Sequence, residues 1–204
     1  MKITQEQMDL LAEIFNQGVG RASAMIEELA GCEVFLTVPE VNILLLKDLV
    51  EVIKEAEGEN ISGVVQKYSG PFEGSAIMIY SEQSTLQLIQ LIMGTETPLE
   101  QLNEMESDAL GELGNIVLNS CLSAIGNILE SEIETEIPYI ISGSTENVLS
   151  LEKEVPLDRK VIFLKMGFNI SASELQGYIS FLIDTEKIKV LLDQLDAYFK
   201  RIME

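Results

Sequence analysis

Glu13 and Asn16 stand three residues apart, and Glu112 and Asn115 repeat the pair 99 residues later. An aspartate precedes each glutamate by four positions, Asp9 in one case and Asp108 in the other. On a helix, a Glu and an Asn at this spacing point the same way, about 5–6 Å apart. The carboxylate can pair with a partner's lysine. The carboxamide is neutral at every relevant pH and offers both a donor and an acceptor. It is too weak for a general base, but it can hold a water by accepting from it and aim that water at an electrophile. A glutamine plays this positioning part in some phosphoryl transfers. The role makes sense when another protein supplies the phosphate, the metal and the electrophile.

Other chemistry is narrowed by what the chain lacks. It has no histidine, which removes Ser–His–Asp and Cys–His catalysis, a histidine base and the common zinc sites. No P-loop or GxGxxG pattern occurs. Cys32 and Cys121 form no CxxC pair and read as buried free thiols in a reducing cytoplasm. The net charge of −21 argues against nucleic acid and against an anionic membrane surface. It favours protein partners with basic groups near the docking site. No apolar run reaches the length of a signal peptide or a membrane span. Alternating acids in "ESEIETEIP" read as the solvated face of a strand and not as a calcium site.

The elements that must position the pairs follow from periodicity. Thr4 to Gln7 forms a capping box, and Met8, Leu11, Phe15, Val19, Ala22, Ile26 and Leu29 recur at helical spacing up to a stop at Gly31. With Asp9 at zero on the helical wheel, Glu13 lies near 40° and Asn16 near −20°, while Met8, Phe15, Ala22 and Ile26 gather at about 220–260°. Strands are expected at "CEVFLTV" and "VNILLL" on either side of Pro39, then at "SGVVQKY" and "EGSAIMIY", with 47–60 a loop or short helix. Ser81 is expected to cap a further helix that ends at Gly94. A second long helix covers about 105–129, followed by strands at "EIETEIP", "NVLSL", "KVIFLKMGF" and "LQGYISFLI", and a last helix capped by Asp184.

Sliding residues 9–39 onto 108–138 gives identities at Asp9/Asp108, Leu11/Leu110, Glu13/Glu112, Asn16/Asn115, Ile26/Ile125, Glu33/Glu132 and Pro39/Pro138. Unrelated sequence would give about two. The chain therefore reads as a single domain over 1–204, made of two repeats at about 1–94 and 105–204. The strands are expected to be antiparallel because their connections are short.

The pattern Asp-x3-Glu-x2-Asn-x22-Pro, present as Asp9, Glu13, Asn16, Pro39 and again as Asp108, Glu112, Asn115, Pro138, resembles the signature of the CheC/CheX/FliY chemotaxis phosphatases. Two copies in about 200 residues look most like CheC. The resemblance implies a two-layer α/β fold of the α+β type, with a six-stranded antiparallel sheet, long helices packed on it and pseudo-two-fold symmetry. It implies hydrolysis of the aspartyl phosphate of a CheY-type response regulator in the cytoplasm. Glu13 and Glu112 would dock to the receiver's lysine, and Asn16 and Asn115 would orient the attacking water. Asp9, Asp108, Pro39 and Pro138 would support the motif. No metal is expected in this chain, since Mg²⁺ comes with the receiver.

Two departures stand out. Glycine precedes the second asparagine at Gly114, but Phe15 precedes the first, which favours the second site if only one works. Family members that bind CheD carry an amphipathic helix after the second proline, whereas "YIISGSTENVLSLEKEVP" has no such face, which argues against CheD as a partner. The alternative reading is a non-catalytic adaptor of the same fold that binds a receiver domain, a flagellar-switch component or CheD.

Overall fold

The computed structural model describes residues 4–31, 33–71, 73–81, 104–151, 153–170, 173–183 and 185–203. The helix expected after Ser81, the Asp184 cap and Cys32 lie outside them. Helix α1 (Gln5–Ala30) opens on the expected capping box, with Gln7 N–H donating to Thr4 Oγ1 at 3.2 Å and Thr4 N–H to Gln7 Oε1 at 3.0 Å. It closes at Gly31, whose φ of 64° is the left-handed conformation glycine adopts at least cost. Then follow β1 (Val34–Leu45), α2 (Leu46–Glu57), β2 (Asn60–Ser69) and β3 (Gly74–Ser81). The second half holds α3 (Glu104–Ile128), β4 (Glu134–Thr135), β5 (Tyr139–Ser144), α4 (Thr145–Leu149), β6 (Lys160–Ile170), β7 (Ser173–Ile183) and α5 (Thr185–Met203).

The strands form one antiparallel sheet in the order β1-β6-β7-β3-β2, with β4 and β5 sharing the last edge against β2. Exchanging the halves (β1 with β4/β5, β2 with β6, β3 with β7) returns the same order, so the pseudo-two-fold runs between β3 and β7. Six strand positions were expected; seven segments are found because one edge strand is split. "EIETEIP" contributes only Glu134 and Thr135, and pairing resumes at Tyr139. "NVLSL" is not a strand: Ser144 caps a helical turn there, accepting from Asn147 N–H. The segment expected as a loop or short helix is helical as far as Glu57, with Leu46, Leu49, Val50 and Ile53 buried one turn apart. "CEVFLTV" and "VNILLL" make one continuous strand.

Along that strand, Thr37 faces Gly167 and Glu40 faces Lys165, so β1 carries one extra residue at Val38-Pro39. The other edge does the same. Thr135 faces Tyr68 and Tyr139 faces Val65, again one residue too many, around Ile137-Pro138. Proline has no N–H to give a ladder and is tolerated at such bulges. Each motif proline thus sits in an edge bulge, inside or between strand segments.

Side chains alternate across the sheet. Ala76, Met78 and Tyr80 of β3 and Ile162, Leu164, Met166 and Phe168 of β6 face α1, α3 and α5. Ile77, Ile79, Val161 and Phe163 face the other way, under α2 and α4. The long-helix layer matches expectation, and the two short helices add cover to the opposite face. Of the apolar α1 positions, Leu29 is an exception at 65% exposed. Gln7 Nε2 donates to Asp196 of α5 at 3.0–3.1 Å, tying the two helix ends.

Burial sets an alkaline limit on this core. It pushes the Cys121 thiol from 9.0 up to about 12, an effect partly offset by Arg21. It likewise pushes Tyr68 and Tyr80 above 10.0. Tyr178 is raised by burial and by its bond to the Glu57 carboxylate. These groups lose protons in the unfolded chain first, so the unfolded state binds fewer protons and stability falls as pH rises. Urea midpoints should stay level near neutrality and decline from about pH 9 upward. A midpoint that holds to pH 10.5 would contradict this account.

Candidate functional site

Both Glu–Asn pairs lie on long helices over the two bulged edges, as the spacing predicts. Asp9 and Glu13 are exposed, and Asn16 is half-buried. Asp9 accepts from Gln5 Nε2 at 2.8 Å, a bond within its own helix. Asp108 and Glu112 are exposed, and Asn115 is half-buried. Pro39 follows Val38 in the first bulge, and Pro138 lines the second site. The structure brings each helix pair to its proline but gives the two asparagines opposite surroundings.

Asn16 makes three hydrogen bonds to the backbone. Its Nδ2 donates to Ala12 C=O at 2.9 Å and to Val38 C=O at 3.0 Å, and its Oδ1 accepts from Val38 N–H at 2.9 Å. The Val38 N–H can only donate and its carbonyl can only accept, so the orientation of the carboxamide is determined. Asn16 is a clamp that pins the first bulge to α1. Val38 beneath it is 2% exposed.

Asn115 is held differently. Its Oδ1 accepts from Asn119 Nδ2 at 2.7 Å and from Gln66 Nε2 at 2.9 Å. Gln66 Nε2 also donates to Glu136 C=O at 3.2 Å. A backbone carbonyl only accepts, so the Gln66 nitrogen must lie on that side, and the oxygen of Asn115 must face it. Both lone pairs of Asn115 Oδ1 are therefore occupied, and its Nδ2 has no protein partner among the described residues. The sequence suggests an acceptor for water; the geometry presents an N–H donor instead.

Asn115 lines an open cleft of about 780 Å³ together with Asp108, Gly111, Glu112, Asn119 and the edge from Thr135 to Ile140. Glu136 is pinned from two sides, since its N–H also donates to Lys67 C=O at 2.9 Å. The next residue, Ile137, projects from the rim at 90% exposed, where its counterpart Val38 is buried. Asp108, Glu112 and Glu136 make the cleft acidic, in keeping with the charge of the whole chain.

Gly114 explains how α3 comes so close. A Cβ at 114 would stand 2.5 Å from Val64 Cγ1 and 2.7 Å from Val64 Cβ. At the counterpart position Phe15 fills the space, stacking on Phe181 with ring centroids 5.3 Å apart. Gly114→Ala should destabilise the fold by about 1–3 kcal/mol through overpacking, although alanine is the better helix former by about 1 kcal/mol. A raised melting temperature in that variant would reject the close-contact account.

Sequence reasoning missed Gln66. It lies on the helix-facing side of β2 between Val64 and Tyr68, and it is 1% exposed. A lone amide among inward-facing apolar residues was the available signal. Among the described residues its Oε1 has no hydrogen-bond partner, an arrangement that ordinarily costs about 1–3 kcal/mol. Asn119 belonged to the polar stripe but was given no task.

The family model described as Chemotaxis phosphatase CheX matches residues 61–159. The chain is 28% identical over 141 residues to the Bacillus subtilis protein named CheY-P phosphatase CheC, covering 68% of this chain and 67% of that one. Thermotoga maritima FliY has a similar structure, with a TM-score of 0.77 at 20% identity, covering 98% of this chain and 99% of that one. The middle domain of Helicobacter pylori FliM follows at 0.70 and 12% identity, covering 94% and 99%. Among the described residues, no helix is long and apolar enough to cross a membrane.

Proposed function

We propose that the chain, which is similar to the CheC/CheX/FliY chemotaxis phosphatases, hydrolyses the aspartyl phosphate of a CheY-type response regulator, with Glu112 and Asn115 as the working pair. The observation that carries this reading is that Asn115 lines an open acidic cleft with its Oδ1 occupied and its Nδ2 without a protein partner among the described residues. The span matched by the family model contains Asp108, Glu112, Asn115 and Pro138 and leaves out the first pair. The similarity to a CheY-P phosphatase supports the substrate class.

In this reading the receiver brings the phosphoryl group, its Mg²⁺ and a lysine, and docking occurs in the cytoplasm. Glu112 pairs with that lysine at the cleft mouth. Asn115 Nδ2–H donates to the attacking water and leaves the water's other lone pair directed at phosphorus. The water oxygen bonds to phosphorus as the bond from phosphorus to the aspartyl oxygen breaks. The electron pair leaves on the receiver's carboxylate, and the water's proton goes to the departing phosphate. An acyl phosphate is already labile, so placing one water is enough to matter, on the order of 10²-fold. Asp108 and Pro138 shape the cleft. Asn16, Glu13, Asp9 and Pro39 serve the architecture of the first half.

The test is phosphate release from phosphorylated receiver and Mg²⁺, with and without the protein. Faster release is expected. Glu112→Gln should lower kcat/KM by on the order of tenfold, mainly through slower association, and added salt should shrink the difference. Docking with no acceleration would favour the adaptor reading, which the similarity of fold to FliM also suits. CheD is left out of the proposal: after Pro138 the chain forms β5 and a helical turn of five residues.

A further inference from the structure

Gly167 stands opposite Thr37 beside the first bulge, as Lys67 stands opposite Glu136 beside the second. The residue before each is therefore a counterpart: Met166 in the first half and Gln66 in the second. Likewise, Gly20 occupies the helical position that Asn119 holds in α3. The first half thus has neither of the two amides that hold Asn115, and there the motif asparagine must pin the bulge itself. In the second half Gln66 pins the bulge through Glu136 C=O.

We infer that Gln66 is a positioning residue for the reaction, which with Asn119 saturates Asn115 Oδ1 and so presents Asn115 Nδ2–H to the attacking water. This rests on the phosphatase reading above. Gln66 is buried and touches no substrate; it acts by relieving Asn115 of the anchoring duty that Asn16 performs and by locking the amide's orientation. A methionine in its place offers no donor. Asn115 would then be free to turn and engage the bulge backbone as Asn16 does.

Gln66→Met introduces the residue already found at the symmetric position, so the core keeps an apolar side chain of similar length. It should lower kcat by about 10²-fold, as Asn115→Ala does, with little change in KM or in binding of a beryllofluoride-treated receiver. The double variant should be no slower than either single one. The side-chain amide resonances of Asn115, identified by their loss in Asn115→Ala, should shift in Gln66→Met while backbone amides away from the cleft stay in place. Asn119→Asp is the second variant, should Gln66→Met fold poorly. Its carboxylate repels Oδ1 and draws Nδ2 away from the cleft, so kcat should again fall. Full turnover in a folded variant of either kind, alongside loss in Asn115→Ala, would overturn the assignment of Gln66 alone. Full turnover in Asn115→Ala would remove the phosphatase reading and this inference together.

Discussion

Asn115→Ala is expected to lower kcat by about 10²-fold or more while melting temperature and receiver binding stay close to wild type. The side chain is half-buried, and among the described residues the bonds it makes are accepted at Oδ1 from Gln66 and Asn119. Gln66 keeps its second bond to Glu136 C=O, so the edge strand remains anchored. Asn119 reaches solvent in the open cleft. What disappears is the outward N–H, which is used only when a water and a phosphoryl group are present, so the loss falls on kcat and not on KM. Single-turnover phosphate release would measure it. A variant with wild-type kcat would show that the cleft donor takes no part in the chemistry.

The same substitution in the first half should do the reverse. Asn16→Ala removes both the acceptor for Val38 N–H and the donor to Val38 C=O. Val38 is buried, and the residue after it is a proline that lacks an N–H, so no neighbouring group can replace the clamp. Unsatisfied buried backbone groups cost about 1–3 kcal/mol each, so a loss of about 2–4 kcal/mol is expected. Urea unfolding would report the total, and faster hydrogen exchange at the Val38 amide would locate it. Turnover per folded molecule should hold. If Asn16→Ala instead kept its stability and lost turnover, the first pair would be the working site and the geometric contrast between the halves would be misread.

One motif, twice written, therefore stands in two different hydrogen-bonding settings. The residues that divide them are not in the motif. Met166 against Gln66, Gly20 against Asn119 and Phe15 against Gly114 differ between the halves, and each bears on how the helix meets its edge strand. Phe15 fills the space above the sheet by stacking on Phe181, whereas Gly114 lets α3 settle onto Val64. Only this last difference was legible beforehand, because it lies between the glutamate and the asparagine.

Periodicity and cap residues determined the long helices, the caps at Thr4 and Gly31 and the outward stripe carrying Asp9, Glu13, Asp108 and Glu112. Those features are local: they depend on which residues recur every 3.6 or every 2 positions, and the chain states that directly. Strand limits were less legible where propensity and tertiary pairing disagree. "NVLSL" suggested a strand, but a Ser144 cap and burial of Val148 and Leu149 against the sheet favour a helical turn. The hydrogen-bond partners of the two asparagines are decided only by tertiary structure. Whether a carboxamide is spent on the backbone or left facing a cleft depends on which donors lie across the sheet, and Gln66 and Asn115 are 49 residues apart. A hydrogen bond needs its partner within about 3 Å, and sequence spacing carries no information about that distance once it must be closed through a folded sheet.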